Sequence, residues 1–162
     1  MTIAVGDRVP SVPLFQLINS KLVIARSDEL LGGRRSVVFA VPGAFSPTCS
    51  ERHLPGFVNN AYAFWKKGIE QVVCISVNDA FVMRAWQKDQ AILQEITMVA
   101  DGNGEFTQAI GLSQGIRTPG MGIASRRYTM VVDCGIVTHL FIEPQDGGRA
   151  ISRAEAVLEA LP

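Results

Sequence analysis

Apolar runs of strand length that alternate with longer amphipathic segments constrain this chain more than any other feature. Two runs, Ser36 to Val41 (SVVFAV) and Gln71 to Val77 (QVVCISV), are almost continuously apolar, which is typical of strands buried on both faces of a sheet. A segment of helical character follows each run, and Asn78 and Asp79 are candidate N-caps of the second one. The pattern predicts an α/β domain.

The rest of the chain extends this order. VPLFQL and KLVIAR predict an N-terminal β-hairpin, EITMVAD a third core strand, and GNGEF the start of a short helix through Ile110. RRYTMVV and IVTHLFI predict a second hairpin in which Gly135 takes a positive φ. SRAEAVLEAL predicts the last helix, with Ser152 as N-cap and Glu155 in a capping box, and GLSQGIRTPGMGIAS is the longest loop.

The resulting order of elements predicts a thioredoxin-like fold, in which helices flank both faces of a central mixed sheet. The 162 residues fit one domain, 1–162. With 15 basic and 15 acidic residues the formal net charge is zero, so neither nucleic acid nor an anionic membrane is an expected partner. The N-terminus lacks the pattern of a secretory signal, and no apolar stretch has the length of a membrane span, so we expect a cytoplasmic protein.

The three cysteines, Cys49, Cys74 and Cys134, include no CxxC pair, which argues against a disulfide framework and against a zinc site. The two histidines, His53 and His139, are far apart in the sequence, and they support neither a metal site nor a Cys–His protease site. We therefore expect no metal and no other cofactor. The chemistry is predicted to depend on single thiols.

Cys49 follows the turn-rich loop PGAFSPT at the carboxyl end of a strand, where ligands bind in open α/β sheets. The segment after it is helical in character, with Pro55 and Gly56 predicting a kink or a break. In the first turn of this helix, unpaired N–H groups would favour the Cys49 thiolate over the thiol. A lone cysteine at such a junction is more often a small apolar filler. The complete string P-G-A-F-S-P-T-C favours a reactive residue instead.

The segment VPGAFSPTCSERHLPGF closely resembles the active-site segment of peroxiredoxins. HLPGF after the cysteine, CISVNDAFVMRAWQK and RRYTMVVDCGIV indicate the type-II, peroxiredoxin-five-like branch, and the resemblance extends from about the tenth residue to the last helix. It implies a thiol peroxidase that reduces hydrogen peroxide and alkyl hydroperoxides in antioxidant defence. It also implies a homodimer and an external thiol reductant.

By position, the resemblance makes Cys49 the peroxidatic residue, Ser46 the hydroxyl that contacts the peroxide, and Pro42 the residue that shields the pocket. Arg127 becomes the cation that stabilises the thiolate and orients the substrate, with Arg126 as the competing candidate. Strand alternation places the two arginines on opposite faces but does not decide which face meets Cys49. Many relatives carry Thr where this chain has Ser46.

The resemblance leaves the resolving thiol open. Cys74 matches a position that carries a second cysteine in some relatives, but its strand is predicted to be buried, so it is equally well explained as a structural residue. The loop EPQDGGRAIS lacks the resolving cysteine of animal relatives, and Cys134, at a hairpin tip, is an incidental residue or a glutathionylation site. We therefore expect reduction by glutaredoxin with glutathione, or by thioredoxin.

Two other functions share parts of this pattern. A thioredoxin-fold disulfide reductase needs a CxxC pair, and Cys49 is followed by Ser50, Glu51 and Arg52 instead. A non-catalytic redox sensor or chaperone-like module would use the same pocket but would turn over slowly. His53, four residues after Cys49, is predicted to support the pocket from the helix face.

Overall fold

The apolar runs form the centre of a mixed sheet in the computed structural model of the chain, which describes residues 1–115, 120–145 and 150–162. Each strand of the main sheet is rich in β-branched or aromatic residues, which fit a pleated and buried surface. The strands of this sheet are β1 (Pro13–Ile18), β2 (Lys21–Arg26), β3 (Arg35–Ala40), β4 (Gln71–Ser76), β5 (Thr97–Ala100), β8 (Tyr128–Asp133) and β9 (Ile136–Ile142). Two short strands, β6 (Ser113–Gln114) and β7 (Ala124–Ser125), pair separately.

The main sheet has seven strands in the order β2-β1-β5-β4-β3-β8-β9. The central strands β3, β4 and β5 are parallel, whereas β8 runs antiparallel to β3 and places Tyr128 opposite Ala40. The start of β8 therefore lies at the same edge of the sheet as the end of β3. Both predicted hairpins are present, and Gly135 has a φ of 85° in the turn between β8 and β9.

Helices cover both faces of this sheet, as the sequence predicts. They are α1 (Ser27–Gly32), a π-helical segment (Cys49–His53) that leads directly into α2 (Leu54–Asn59), α3 (Ala61–Lys66), α4 (Ala80–Asp89), α5 (Glu105–Ala109) and α6 (Ala154–Ala160). One buried cluster contains Cys49 with residues of α2, α3, α4 and α6. The cluster on the other face contains residues of α1 and α5. None of the helices in the described residues has the length and hydropathy to cross a membrane.

Asp79 caps α4 as predicted, because its carboxylate accepts a hydrogen bond from the Val82 N–H at 2.8 Å. The predicted cap of α6 is wrong. Arg153 is the N-cap of α6, and the Ser152 hydroxyl donates instead to Glu143 at 2.8 Å. The Ser152 hydroxyl therefore bonds to an acceptor that is distant from the helix, and the predicted capping box does not form.

One helix was missed and one further prediction needs correction. Helix α1 has only six residues, which are too few to show a helical apolar period. The predicted kink or break at Pro55 and Gly56 does not interrupt the helix. The helical run 47–59 passes through both residues and ends at Asn59, and its one irregularity is the π-helical turn just before Pro55. Residues 116–119 of the predicted long loop, and residues 146–149 of the loop before α6, lie outside the described residues.

Candidate active site

Cys49 lies in the first turn of a helix that begins directly after the loop leaving β3. Helical backbone starts at Pro47, and the Ser50 N–H donates to the Ser46 carbonyl at 2.9 Å. Proline suits this first position because it has no N–H to leave unsatisfied. The predicted location of Cys49 is confirmed, and its side chain is fully buried.

The turn that carries Cys49 is wider than an α-helical turn. The Leu54 N–H donates to the Cys49 carbonyl, five residues back, which is the hydrogen bond of a π-helix. Pro55 follows immediately and lacks an N–H, and in a regular α-helix its ring would collide with the carbonyl four residues earlier. The wider turn accommodates Pro55, so the helix continues through the position of the predicted kink or break.

Arg127 reaches Cys49 across the end of the sheet. Its Nη2 lies 3.1 Å from the Cys49 Sγ, and the residue is only 8% exposed. Arg126, by contrast, donates from its Nη2 to the Glu143 carbonyl at 2.9 Å. The alternation along the strand thus directs Arg127, like Val131, to the face of Cys49. A buried guanidinium at this distance stabilises a thiolate more than a thiol.

The loop before Cys49 is held by hydrogen bonds that the sequence did not reveal. The Ser46 hydroxyl donates to the Gly43 carbonyl at 3.0 Å, and Pro42 lies half-buried at the bend that ends β3. Asn78 accepts from the Ala44 N–H at 3.0 Å. The sequence indicated Asn78 only as a candidate helix cap. Its position after a neighbouring parallel strand was the available signal, since such residues meet at one edge of a sheet.

Asn78 is itself fixed by Ser76, whose hydroxyl donates to the Asn78 Oδ1 at 2.6 Å. Trp86 provides a second link, because its indole Nε1 donates to the Ser50 hydroxyl at 2.9 Å. Ser50 directly follows Cys49, so this tryptophan is coupled to the helix turn that carries the sulfur. Its fluorescence is a natural reporter of changes at Cys49.

An aromatic cluster supports the helix on the core side. Phe39 and Phe57 stack with their ring centroids 3.9 Å apart, and the His53 ring meets both edge-on, at 5.7 Å and 5.3 Å. His53 is buried, as a residue that supports the pocket would be. The stacked rings limit the movement of the helix and keep water away from this side of the site.

The other two cysteines are in very different environments. Cys74 is buried in the same apolar cluster as Cys49, and burial, together with the nearby Cys49 sulfur, raises the pKa of its thiol well above the ordinary value. Cys134 is exposed at the tip of the β8–β9 hairpin. A hydrogen bond with Asp133 raises its pKa as well. Both thiols are therefore mostly protonated at neutral pH.

No group of three or more potential metal ligands occurs in the part of the chain that the structure describes. What the site does contain is a buried sulfur at a helix start, a guanidinium in contact with it, and a loop with its polar groups fixed. Such an arrangement can hold a thiolate and present it to a small oxidant.

Comparison with known proteins shows the family to which the chain belongs. The Redoxin family model matches residues 4–158. The chain is 46% identical over 164 residues to Peroxiredoxin-2E, chloroplastic, of Arabidopsis thaliana, covering 99% of this chain and 70% of that protein. It is 41% identical to Peroxiredoxin-2B of the same plant, covering 98% of each.

Comparison with solved structures leads to the same family. The crystal structure of reduced Prx3 from Vibrio vulnificus in complex with H₂O₂ matches with a TM-score of 0.95 and 43% identity, covering 99% of this chain and 100% of that one. The predicted thioredoxin-like fold and the predicted type-II resemblance are both confirmed. The chain belongs to the redoxin family and, within it, to the peroxiredoxins, which are antioxidant thiol peroxidases.

Proposed function

We propose that Cys49 is the residue that reduces the hydroperoxide and that Arg127 is the cation that activates it. The observation that carries this proposal is the contact of 3.1 Å between the Arg127 Nη2 and the Cys49 Sγ. The helix start adds unpaired N–H groups and the positive end of a dipole in the turn that carries the sulfur. Neither Cys74 nor Cys134 has a comparable environment.

The chemical step follows from this geometry. The Cys49 thiolate attacks one peroxide oxygen and forms an S–O bond while the O–O bond breaks. The departing oxygen leaves as water or an alcohol after it takes up a proton, and the sulfur becomes a sulfenic acid. Arg127 Nη1 is buried and has no hydrogen-bond partner among the described residues. It can therefore donate to the peroxide oxygens as charge develops on them.

Ser46 is proposed to orient the substrate as an acceptor. Its hydroxyl proton is already donated to the Gly43 carbonyl, so the oxygen is left to accept a hydrogen bond from the peroxide O–H. An acceptor from Ser46 and a donor from Arg127 would fix the direction of the O–O bond. Pro42 would shield the pocket from the end of β3.

The second half of the cycle is proposed to use an external thiol and no resident cofactor. The sulfenic acid condenses with a thiol of glutathione, glutaredoxin or thioredoxin, which releases water and gives a mixed disulfide. A second thiol then displaces the Cys49 thiolate and carries away the disulfide. Because Cys49 is fully buried, a protein reductant requires local opening of its helix turn. Cys74 is less suitable as a resolving residue, since burial keeps it protonated.

We propose that the protein forms a homodimer through the rim of this site. Three exposed apolar side chains, Phe45, Met121 and Ile123, belong to the loop before Cys49 and the segment beside it, and Met121 lies against Gly43. Ile123→Glu should convert the dimer to a monomer in sedimentation velocity. Leu93→Glu, at an exposed position after α4, should leave the dimer intact. The cytoplasmic location stays a prediction, since two of the similar proteins are chloroplastic.

The catalytic proposal is tested by mixing the reduced protein with hydrogen peroxide in a stopped-flow fluorimeter. The chain has two tryptophans, so Trp65→Phe leaves Trp86 as the reporter. Cys49→Ser should abolish both the fluorescence change and peroxide consumption, whereas the matched Cys134→Ser should change neither. Unchanged peroxide consumption in Cys49→Ser would overturn the assignment.

Steady-state turnover then identifies the reductant. Glutaredoxin with glutathione and thioredoxin with its reductase are compared at equal peroxide concentration. Turnover with at least one of them supports the enzymatic cycle. Rapid oxidation of Cys49 without turnover by either system would instead favour the redox sensor.

A further inference from the structure

Glu143, directly after β9, is a buried acid that contacts the backbone of Arg127 and not the Cys49 sulfur. It is 3% exposed, and its Oε1 accepts three hydrogen bonds. These come from the Ile151 N–H at 2.8 Å, the Ser152 N–H at 2.7 Å and the Ser152 hydroxyl at 2.8 Å. A buried carboxylate that receives several donors is held in one position. Glu143 therefore joins the end of the sheet to the segment that precedes α6.

The same residue contacts the backbone that carries the catalytic guanidinium. The Glu143 N–H donates to the Arg127 carbonyl at 3.0 Å, and Arg126 donates from its side chain to the Glu143 carbonyl at 2.9 Å. The segment before α6 is attached a second time, because the Thr129 hydroxyl donates to the Ser152 carbonyl at 2.6 Å. Along the chain, Arg126 and Arg127 are therefore attached to Glu143. Thr129, two residues after Arg127, is attached to Ser152.

We propose that Glu143 is a positioning residue for the peroxidase reaction: its carboxylate, with Ser152, keeps the start of β8 in the place where the Arg127 guanidinium meets the Cys49 sulfur. This inference rests on the proposed roles of Cys49 and Arg127. The mechanism needs such support, since a guanidinium displaced by about 1 Å can lower a rate by about 100-fold. Arg127 itself lies just outside β8, where the ladder no longer restrains it on the side of β3.

A simpler role for Glu143 would be to anchor α6 without affecting the site. The structure offers a matched control, because Lys67 anchors the opposite end of α6. The Lys67 Nζ donates to the carbonyls of Leu158 at 3.0 Å and Leu161 at 2.9 Å. Replacing Lys67 loosens the same helix without touching a neighbour of Arg127. A purely structural role predicts equal effects of the two replacements at equal loss of stability.

The experiment compares Glu143→Ala, Glu143→Gln and Lys67→Met in a Cys134→Ser background. Three quantities are measured: the rate constant with hydrogen peroxide, the free energy of unfolding in urea, and the pH profile of iodoacetamide alkylation of Cys49, with the modified residue identified by mass spectrometry. For Glu143→Ala we expect a rate decrease of roughly tenfold to 100-fold and an alkylation profile displaced to higher pH. Glu143→Gln, whose amide oxygen can accept the same hydrogen bonds, should recover most of the rate.

Lys67→Met should lower stability while leaving the rate constant and the alkylation profile unchanged. The proposal is overturned if Glu143→Ala reacts at the wild-type rate, or if Lys67→Met shifts the rate and the pH profile as far as Glu143→Ala does. If Glu143→Ala does not fold, Ser152→Ala removes one of the three donors and should shift both readouts in the same direction by less. Unchanged readouts in Ser152→Ala would then overturn the proposal.

The failure of this inference is distinguishable from that of the proposed function. Cys49→Ser is carried through the same peroxide assay. Peroxide consumption that survives in Cys49→Ser refutes the catalytic role of that residue, whatever Glu143 does. Loss of consumption in Cys49→Ser together with a wild-type rate in Glu143→Ala refutes only the positioning role.

Discussion

Replacing Arg127 by Lys tests the contact on which the proposed peroxidase chemistry depends. Lysine keeps the positive charge, but its single ammonium group cannot reproduce the planar pair of nitrogens that a guanidinium presents. In the structure, Arg127 Nη2 lies 3.1 Å from the Cys49 Sγ, and Nη1 is buried without a hydrogen-bond partner among the described residues. One nitrogen is therefore assigned to the sulfur and the other to the peroxide.

The expected magnitude follows from these two roles. Loss of one fixed donor to a developing oxyanion lowers a rate by about 10² to 10³-fold, so Arg127→Lys should react with hydrogen peroxide more slowly by this factor. Arg127→Met also loses the charge-assisted bond to the sulfur, which contributes about 1.5–3 kcal/mol. Its rate should fall by at least about 10³-fold.

Stopped-flow fluorescence of Trp86 in the Trp65→Phe background gives these rate constants directly, and circular dichroism shows whether each variant is folded. Arg126→Lys is the matched control, because Arg126 uses one nitrogen on a carbonyl oxygen that lysine can also reach. Its rate should stay within about threefold of the wild type. The assignment of Arg127 is refuted if Arg127→Lys also stays within this range, or if Arg126→Lys loses as much activity.

Three further predictions concern Cys74, Cys134 and Asn78. Burial raises the pKa of the Cys74 thiol above its ordinary value of 9.0. Above that pH the unfolded chain loses the Cys74 proton while the folded chain keeps it, so the free energy of unfolding falls. Urea titrations should show a weaker decline of this free energy with pH in Cys74→Ala than in the wild type. The Asp133 carboxylate raises the pKa of Cys134, so Asp133→Asn should lower that pKa and accelerate Cys134 alkylation near neutral pH; an unchanged rate would contradict this. Asn78→Ala leaves the Ala44 N–H without its acceptor, which should cost about 1–3 kcal/mol in urea unfolding and slow the peroxide reaction.

The strands and hairpins of this chain are readable from its sequence because their signals are local. The runs that form β3 and β4 are apolar at almost every position, and their short length and valine-rich composition favour a buried strand over a buried helix. The β8–β9 turn is equally local, since Cys134 and Gly135 both have positive φ, as a two-residue turn of type I′ requires. Asp79 caps α4 through a hydrogen bond to a residue three positions away.

The two errors had different causes: a distant group that competed with a local signal, and a helix turn of unusual width. Ser152 and Glu155 have the spacing of a capping box, but the buried Glu143 carboxylate is a stronger acceptor for the Ser152 hydroxyl and draws it away from the helix. Pro55 is a reliable helix breaker only in an α-helix of regular width. The π-helical turn that begins at Cys49 removes the collision, and no property of the proline itself indicates such a turn.

The choice between Arg126 and Arg127 shows what a sequence lacks for the prediction of a site. The alternation of the extended chain that enters β8 separates the two side chains, but the register between β8 and β3 determines which of them faces Cys49. Tyr128 lies opposite Ala40, so the residue before Tyr128 reaches the edge of the sheet where the loop to Cys49 begins. A register shifted by one residue would exchange the faces of the two arginines. The guanidinium that meets the sulfur is thus selected by the pairing of two strands that are distant in the chain.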